Sequence, residues 1–236
     1  MTVPIESPTY IGIDLSDPFA KGRRPCTRAT IGANLTCTFD EWEYALTGNQ
    51  IVLDGIPSSQ FALAIDGPQG LAGSPECMMR VSERKLGAAG KSPYSFPPIG
   101  QPYAGFIQGS VKLFYSLSKS HRFGLYGLEK HKLNTNLIEV YPGASWPVIA
   151  GHGLPKKRLQ AGRRCRYEAL LKNGIRFGPE YTAEFLPTHD QLDAAIAAYT
   201  AYLFTIGRTI AYGQSPFEDK RLHILREGLI IQPLRI

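Results

Sequence analysis

Two short apolar runs, each closed by an aspartate, constrain this chain more than any other feature. Tyr10-Ile11-Gly12-Ile13 ends at Asp14, and Phe61-Ala62-Leu63-Ala64-Ile65 ends at Asp66. A strand with one wet face would alternate apolar and polar residues; these runs do not. They fit central strands buried on both faces. Pro68 and Gly70 stop the second run at once. A third run, Leu137-Ile138-Glu139-Val140-Tyr141, ends at Pro142-Gly143.

Around these strands, residues 28–38 alternate and predict an outer antiparallel strand. Asp40 to Leu46 predicts a short helix capped by Asp40. Residues 75–87 read as a helix ended by Gly87. Gly90 to Pro102 reads as a long loop, and 103–120 as another helix. The clearest helix begins near residue 189, where Thr188 is a good N-cap and Gln191 follows at capping-box spacing. Asp193, Ile196, Ala197, Thr200, Ala201 and Phe204 share one of its faces. Leu229 to Leu234 predicts a final edge strand ended by Pro233. A strand meander followed by alternating strands and helices implies an α/β fold, a mixed sheet flanked by helices. The 236 residues contain no internal repeat or clear linker, which favours one domain spanning 1–236.

No apolar run approaches the roughly 18 residues of a membrane span. Met1-Thr2-Val3-Pro4-Ile5-Glu6 lacks the basic and apolar regions of a signal peptide, so a cytoplasmic location is expected. Cys26, Cys37, Cys77 and Cys165 form no C-x-x-C pair and read as reduced thiols rather than zinc ligands. The net charge of +6 is concentrated. Between Pro155 and Arg176 eight basic residues, Lys156, Lys157, Arg158, Arg163, Arg164, Arg166, Lys172 and Arg176, oppose only Glu168. Such a segment suits a phosphate-bearing polyanion, nucleic acid above all, or is simply a solvated helix face.

Carboxylates at two strand ends and on a helix face can converge on Mg²⁺ or Mn²⁺. Hard divalent ions take oxygen ligands, and a pair of them can activate water and stabilise a leaving oxygen in phosphodiester hydrolysis. The candidate catalytic residues are Asp14, Asp66, Asp190 and Asp193; the candidate metal ligands are Asp14, Asp66, Asp193 and Glu139. Each has a plainer role available. Asp66-Gly67-Pro68 has turn chemistry of its own, and Asp190 suits a helix N-terminus. Asp193 resists the plainer role best, because it leads an apolar face and needs a partner if buried. Glu139 is the weakest, since strand alternation can turn it away. The candidate nucleic-acid contacts are Lys156, Lys157, Arg158, Arg163, Arg164 and Arg166. The histidines form no H-x-x-x-H or H-E-x-x-H pattern, and G-x-S-x-G, P-loop and G-x-G-x-x-G motifs are absent.

Several pieces occur in a familiar order: Gly12-Ile13-Asp14; Ala64-Ile65-Asp66-Gly67-Pro68-Gln69-Gly70-Leu71; Glu139-Val140-Tyr141-Pro142; and His189-Asp190-Gln191-Leu192-Asp193-Ala194. Weaker pieces are Pro75 to Gly87, Gly162-Arg163-Arg164-Cys165-Arg166 and Glu227-Gly228. The ordered set resembles the family of domain of unknown function 429, predicted nucleases of RNase H-like fold. The resemblance implies a five-stranded or slightly larger mixed sheet with antiparallel first strands and later strands joined through helices. Holliday-junction resolvases of that fold are similar in carrying one acid on the first strand, one on the fourth, and a pair three apart on a late helix. Asp14, Asp66, Asp190 and Asp193 fall on those positions. The chain departs from the pattern in having Asp rather than Glu at 66, and an apparent insertion from Asp17 to Pro25 carrying Lys21, Arg23 and Arg24.

The leading expectation is a metal-dependent nuclease. One alternative is a nucleotide-dependent phosphotransferase of the actin-like ATPase class, for which Gly12-Ile13-Asp14-Leu15 fits, whereas Pro68 removes an N–H from the second loop. The other is a non-catalytic binding or assembly module on the same fold.

Overall fold

The computed structural model describes residues 8–21, 25–42, 45–47, 50–52, 61–98, 100–120, 122–128 and 136–235. Residues 1–6, read above as lacking signal-peptide features, and the basic residues Arg23 and Arg24 lie outside them. The elements in chain order are β1 (Thr9–Asp14), β2 (Cys26–Ile31), β3 (Thr36–Trp42), β4 (Ala45–Thr47), β5 (Gln50–Val52), β6 (Phe61–Asp66), α1 (Val81–Leu86), α2 (Ala104–Lys119), β7 (Gly124–Leu125), β8 (Asn136–Val140), α3 (Pro142–Ala150), α4 (Gln160–Lys172), β9 (Arg176–Phe177), α5 (His189–Thr205), β10 (Thr209–Asp219) and β11 (Ile224–Pro233). This is a mixed α/β fold.

The main sheet runs β10-β11-β8-β6-β1-β2-β3-β9, with β7 beside β8. β2 is antiparallel to both β1 and β3, and β1, β6, β8 and β11 are mutually parallel. The three apolar runs thus became β1, β6 and β8, adjacent strands at the centre. Nine described strands exceed the five or slightly more expected. Two of the additions, β7 and β9, are two residues long. A third, β10, is an exposed edge whose polar sequence gave no period to read.

Alternation sends the two faces of the sheet to different helices. Tyr10, Ala62, Ala64, Ile138 and Val140 pack under α5 with Trp146 of α3 and Leu170 of α4. Ile11, Ile13, Leu63, Ile65 and Leu137 pack under α2 through Leu113, Phe114 and Leu117. Gly12 lies on the α5 face, and a Cβ there would stand 2.1 Å from Ala198 N and 2.2 Å from Ala194 O. The missing side chain is what lets the helix backbone rest on β1. The predicted capping box of α5 forms: Gln191 N–H donates to Thr188 Oγ1 at 3.1 Å, and Thr188 N–H to Gln191 Oε1 at 2.8 Å. Helix α2 also lies where the sequence indicated.

Four local expectations are corrected. Asp40 does not cap a helix; Thr36–Trp42 is a strand in full register with β2, and its pairing outweighs the local capping signal. Residues 28–38 are two strands with a turn between them, in which Leu35 N–H donates to Gly32 O at 2.9 Å. Helix α1 begins at Val81, not near Pro75, and ends as expected at Gly87, which has φ 61°. The last strand is internal rather than an edge, because β10 covers one side and β8 the other. All four cysteines are free, Cys26 and Cys37 being buried. Among the described residues no helix is long and apolar enough to cross a membrane.

Candidate active site

Asp14 and Asp66 are direct neighbours in the register of β1 and β6. Parallel pairing aligns their side chains on the same face at the same end of the sheet, and the two carboxyl groups share a hydrogen bond. Helix α5 crosses that face, so Asp193 in its second turn comes over the strand ends. Asp193 is 2 % exposed and has the partners that burial demands. Trp146 Nε1–H donates to its Oδ1 at 2.7 Å, and Lys157 Nζ to its Oδ2 at 2.6 Å.

Crowding of like charges shows in the protonation behaviour. Asp14 is held well above the usual carboxylate range, first by burial, then by the charges of Asp66, Asp193 and Asp190; Lys157 works the other way. Asp66 is pushed up to about 8, again first by burial and then by Asp193, against Lys157 and the hydrogen bond from Asp14. Burial alone would lower the Lys157 pKa, but Asp193, Asp14 and Asp66 together raise it.

This has a consequence for stability. A carboxyl whose pKa rises from 3.8 to about 8 on folding binds more protons folded than unfolded across that interval. Stability therefore falls as pH rises through it, and the penalty is largest above pH 8. Asp66→Asn, measured by denaturant unfolding in chelator, should be more stable than wild type by on the order of 2 kcal/mol at pH 8. The difference should shrink toward zero near pH 4. A variant less stable than wild type at pH 8 would show that the Asp66 charge is satisfied in the fold.

The other predicted residues divide. Asp190 sits near the helix start with its side chain 50 % exposed, 3.5 Å from His189 Nε2, and lines a cavity of about 880 Å³ with Asp14, Arg158 and Arg163. Glu139 leaves the sheet on the opposite face from Asp14 and Asp66, although its charge still acts on Asp66 and it lines a cavity with it. It is in register with Ile65, one residue back from the Asp66–Val140 pair, so it emerges on the α2 face. There Arg80 binds it through both guanidinium arms, at 2.7 and 2.5 Å, and Gln69 N–H donates to it at 3.0 Å.

Of the basic segment, Lys156, Arg158 and Arg164 are exposed, and Arg163 is half-buried. Arg164 donates to Ala183 O at 3.0 Å. Arg166 is buried, donates to Pro155 O at 2.9 Å and Gly162 O at 2.8 Å, and lies 5.6 Å over the Trp146 ring. These contacts commit its guanidinium to bracing the fold, although it also lines a cavity with Asp66 and Asp193. Lys157 is brought among the carboxylates. Sequence reasoning missed Arg80 and Trp146; no motif marks either.

A second cavity, of about 310 Å³, opens beside Asp66 and Asp193 and has mostly apolar walls including Phe106, Ile107 and Tyr141. Carboxylates at the mouth of such a pocket can act on a ligand held in it. Among the described residues, no group of three or more His, Cys, Asp or Glu side chains is spaced to hold a metal ion as the side chains stand. Asp14 and Asp66 present hard oxygen donors side by side, a pair that suits a divalent cation keeping several waters, while Asp193 faces them with both oxygens engaged.

Residues 110–217 match the model of a family described as "Protein of unknown function (DUF429)". The match runs from α2 into β10 and takes in Glu139, the basic segment, Asp190 and Asp193. Neither the curated proteins nor the solved structures provide a match to the chain.

Proposed function

For a chain whose residues 110–217 match the DUF429 family model, we propose a metal-dependent nuclease that hydrolyses phosphodiester bonds of nucleic acid. The observation that carries the reading is the in-register pair Asp14 and Asp66, faced by Asp193. Asp14 and Asp66, both raised by burial and then by neighbouring carboxylates, mark a concentration of negative charge that a cation would relieve. Asp14 and Asp66 would hold Mg²⁺ or Mn²⁺, with Asp193 facing them and Asp190 at the margin. Bound there, the metal would supply an activated water and neutralise charge on the phosphate.

The chain's own residues do the rest. Trp146 fixes the orientation of Asp193. Arg158 and Arg163 flank the larger cavity beside Asp14 and suit backbone phosphates; Lys156 and Arg164 extend that basic surface. Contacts of this kind position a nucleic acid without reading its bases. The strand order, antiparallel through β3-β2-β1 and parallel through β1-β6-β8, supports an RNase H-like reading of the sheet.

The actin-like phosphotransferase reading has less support. It needs a strand-end loop with N–H groups free for phosphate. In Gly67 to Gly73 those groups are spent internally: Gln69 on Glu139, Leu71 on Leu225 O at 3.1 Å, and Gly73 on Glu227 at 2.8 Å.

The test is cleavage of labelled DNA, RNA, hybrid and branched substrates with Mg²⁺ or Mn²⁺, wild type against Asp14→Asn. Metal-dependent cleavage lost in the variant is the expected result. A folded wild type that cuts none of them would move the chain to the binding-module reading.

A further inference from the structure

We propose that Lys157 is a built-in cation of the carboxylate centre, so that the centre takes one divalent metal ion rather than two; the proposal rests on the metal-dependent reading above. A pair of metal ions needs carboxylate oxygens presented to both. Here both oxygens of Asp193 are already engaged, one by Trp146 Nε1–H at 2.7 Å and the other by Lys157 Nζ at 2.6 Å. The same ammonium acts electrostatically on Asp14 and Asp66, so its charge serves the whole cluster. Asp14 and Asp66, joined by their own hydrogen bond, remain as the pair for a single ion.

The backbone around Lys157 is pinned on both sides. Arg166 Nη1 holds Pro155 O at 2.9 Å from its stacked position over Trp146. Leu159 N–H donates to Lys156 O at 3.0 Å. Gly162 lets the first turn of α4 press onto the same loop, since a Cβ there would stand 2.1 Å from Lys156 O. Trp146, which Arg166 covers, is also the residue that orients Asp193. One braced unit therefore positions the ammonium and its carboxylate together. A lysine on a solvated face, the plainer reading of this charge run, would need none of this. An ammonium is a compact point charge; it neutralises carboxylates as a metal ion does, without offering a coordination site for water.

The experiment counts Mn²⁺ bound per chain by the loss of the free-ion electron paramagnetic resonance signal, for wild type and Lys157→Met. The lysine side chain is 46 % exposed, so the substitution leaves the core intact. Lys157→Gln, which keeps a hydrogen-bond donor for Asp193, is the second variant, and circular dichroism verifies that each protein is folded. One ion in wild type and two in the neutral variants is the expected result. An equal count in wild type and variants, whatever its value, overturns the role of Lys157. Two ions in every protein would remove that role alone; none in any would remove the metal-dependent reading with it.

Discussion

Arg80→Met should destabilise the protein by about 3–5 kcal/mol, the range for breaking one partner out of a buried ion pair. Arg80 is 1 % exposed, and its guanidinium joins two buried carboxylates. It binds Glu139 through Nη1 and Nη2, and reaches Glu83 at 3.0 Å from Nε and 2.9 Å from Nη2. Glu83 in turn accepts the N–H groups of Arg80 and Ser92, at 3.0 and 2.9 Å, which ties the start of α1 to the loop after it. Methionine fills similar space but strands both acids without a counter-charge. In a domain of this size the loss is roughly 10 °C or more in melting temperature. Adding Glu139→Gln to the variant should recover part of it, because one uncompensated charge is then gone. Denaturant unfolding of the two proteins checks both statements; a loss below about 1 kcal/mol would mean that water reaches and solvates the pair.

Gly12→Ala should cost about 3 kcal/mol, the upper end of the usual range for overpacking. The obstructing atoms, Ala198 N, Ala194 O and Ala197 C, are helix backbone and cannot rotate away. The helix must lift or slide, and it carries Asp193 with it. Chemistry that depends on Asp193 facing Asp14 should fall with stability, and by more than tenfold, since small misplacements of reacting groups are costly. Gly90→Ala is the control, because a Cβ at Gly90 meets nothing within 4 Å. Equal stability of the two variants would show that α5 is free to adjust.

These two positions mark where the sequence was legible and where it was not. The strands holding Asp14 and Asp66 announced themselves, since a strand buried on both faces has to be apolar throughout. Helix α5 was legible from Thr188 and Gln191 at one end and its apolar face after Asp193. Given those three elements, convergence of the acids follows from parallel pairing. Arg80 was hidden because residues before Val81 have no periodic pattern; they are fixed by ion pairs to residues such as Glu139, 59 positions away. The hairpin of β10 and β11 was half-hidden for a related reason. Its outer strand is exposed and polar, and buried Arg226 is held by the carbonyls of Ala72 and Tyr94 and by Asp219 rather than by apolar packing. Lys157 was visible as charge but not as a partner of Asp193, a contact spanning 36 residues.

The most direct test of a cation-binding carboxylate centre is the melting temperature in chelator and then in excess Mn²⁺, for wild type and Asp66→Asn. Binding to the folded state alone raises stability in proportion to the logarithm of ligand excess over Kd. Wild type should gain several degrees from Mn²⁺ and Asp66→Asn close to none. Equal gains in the two proteins, or no gain in wild type, would contradict the site.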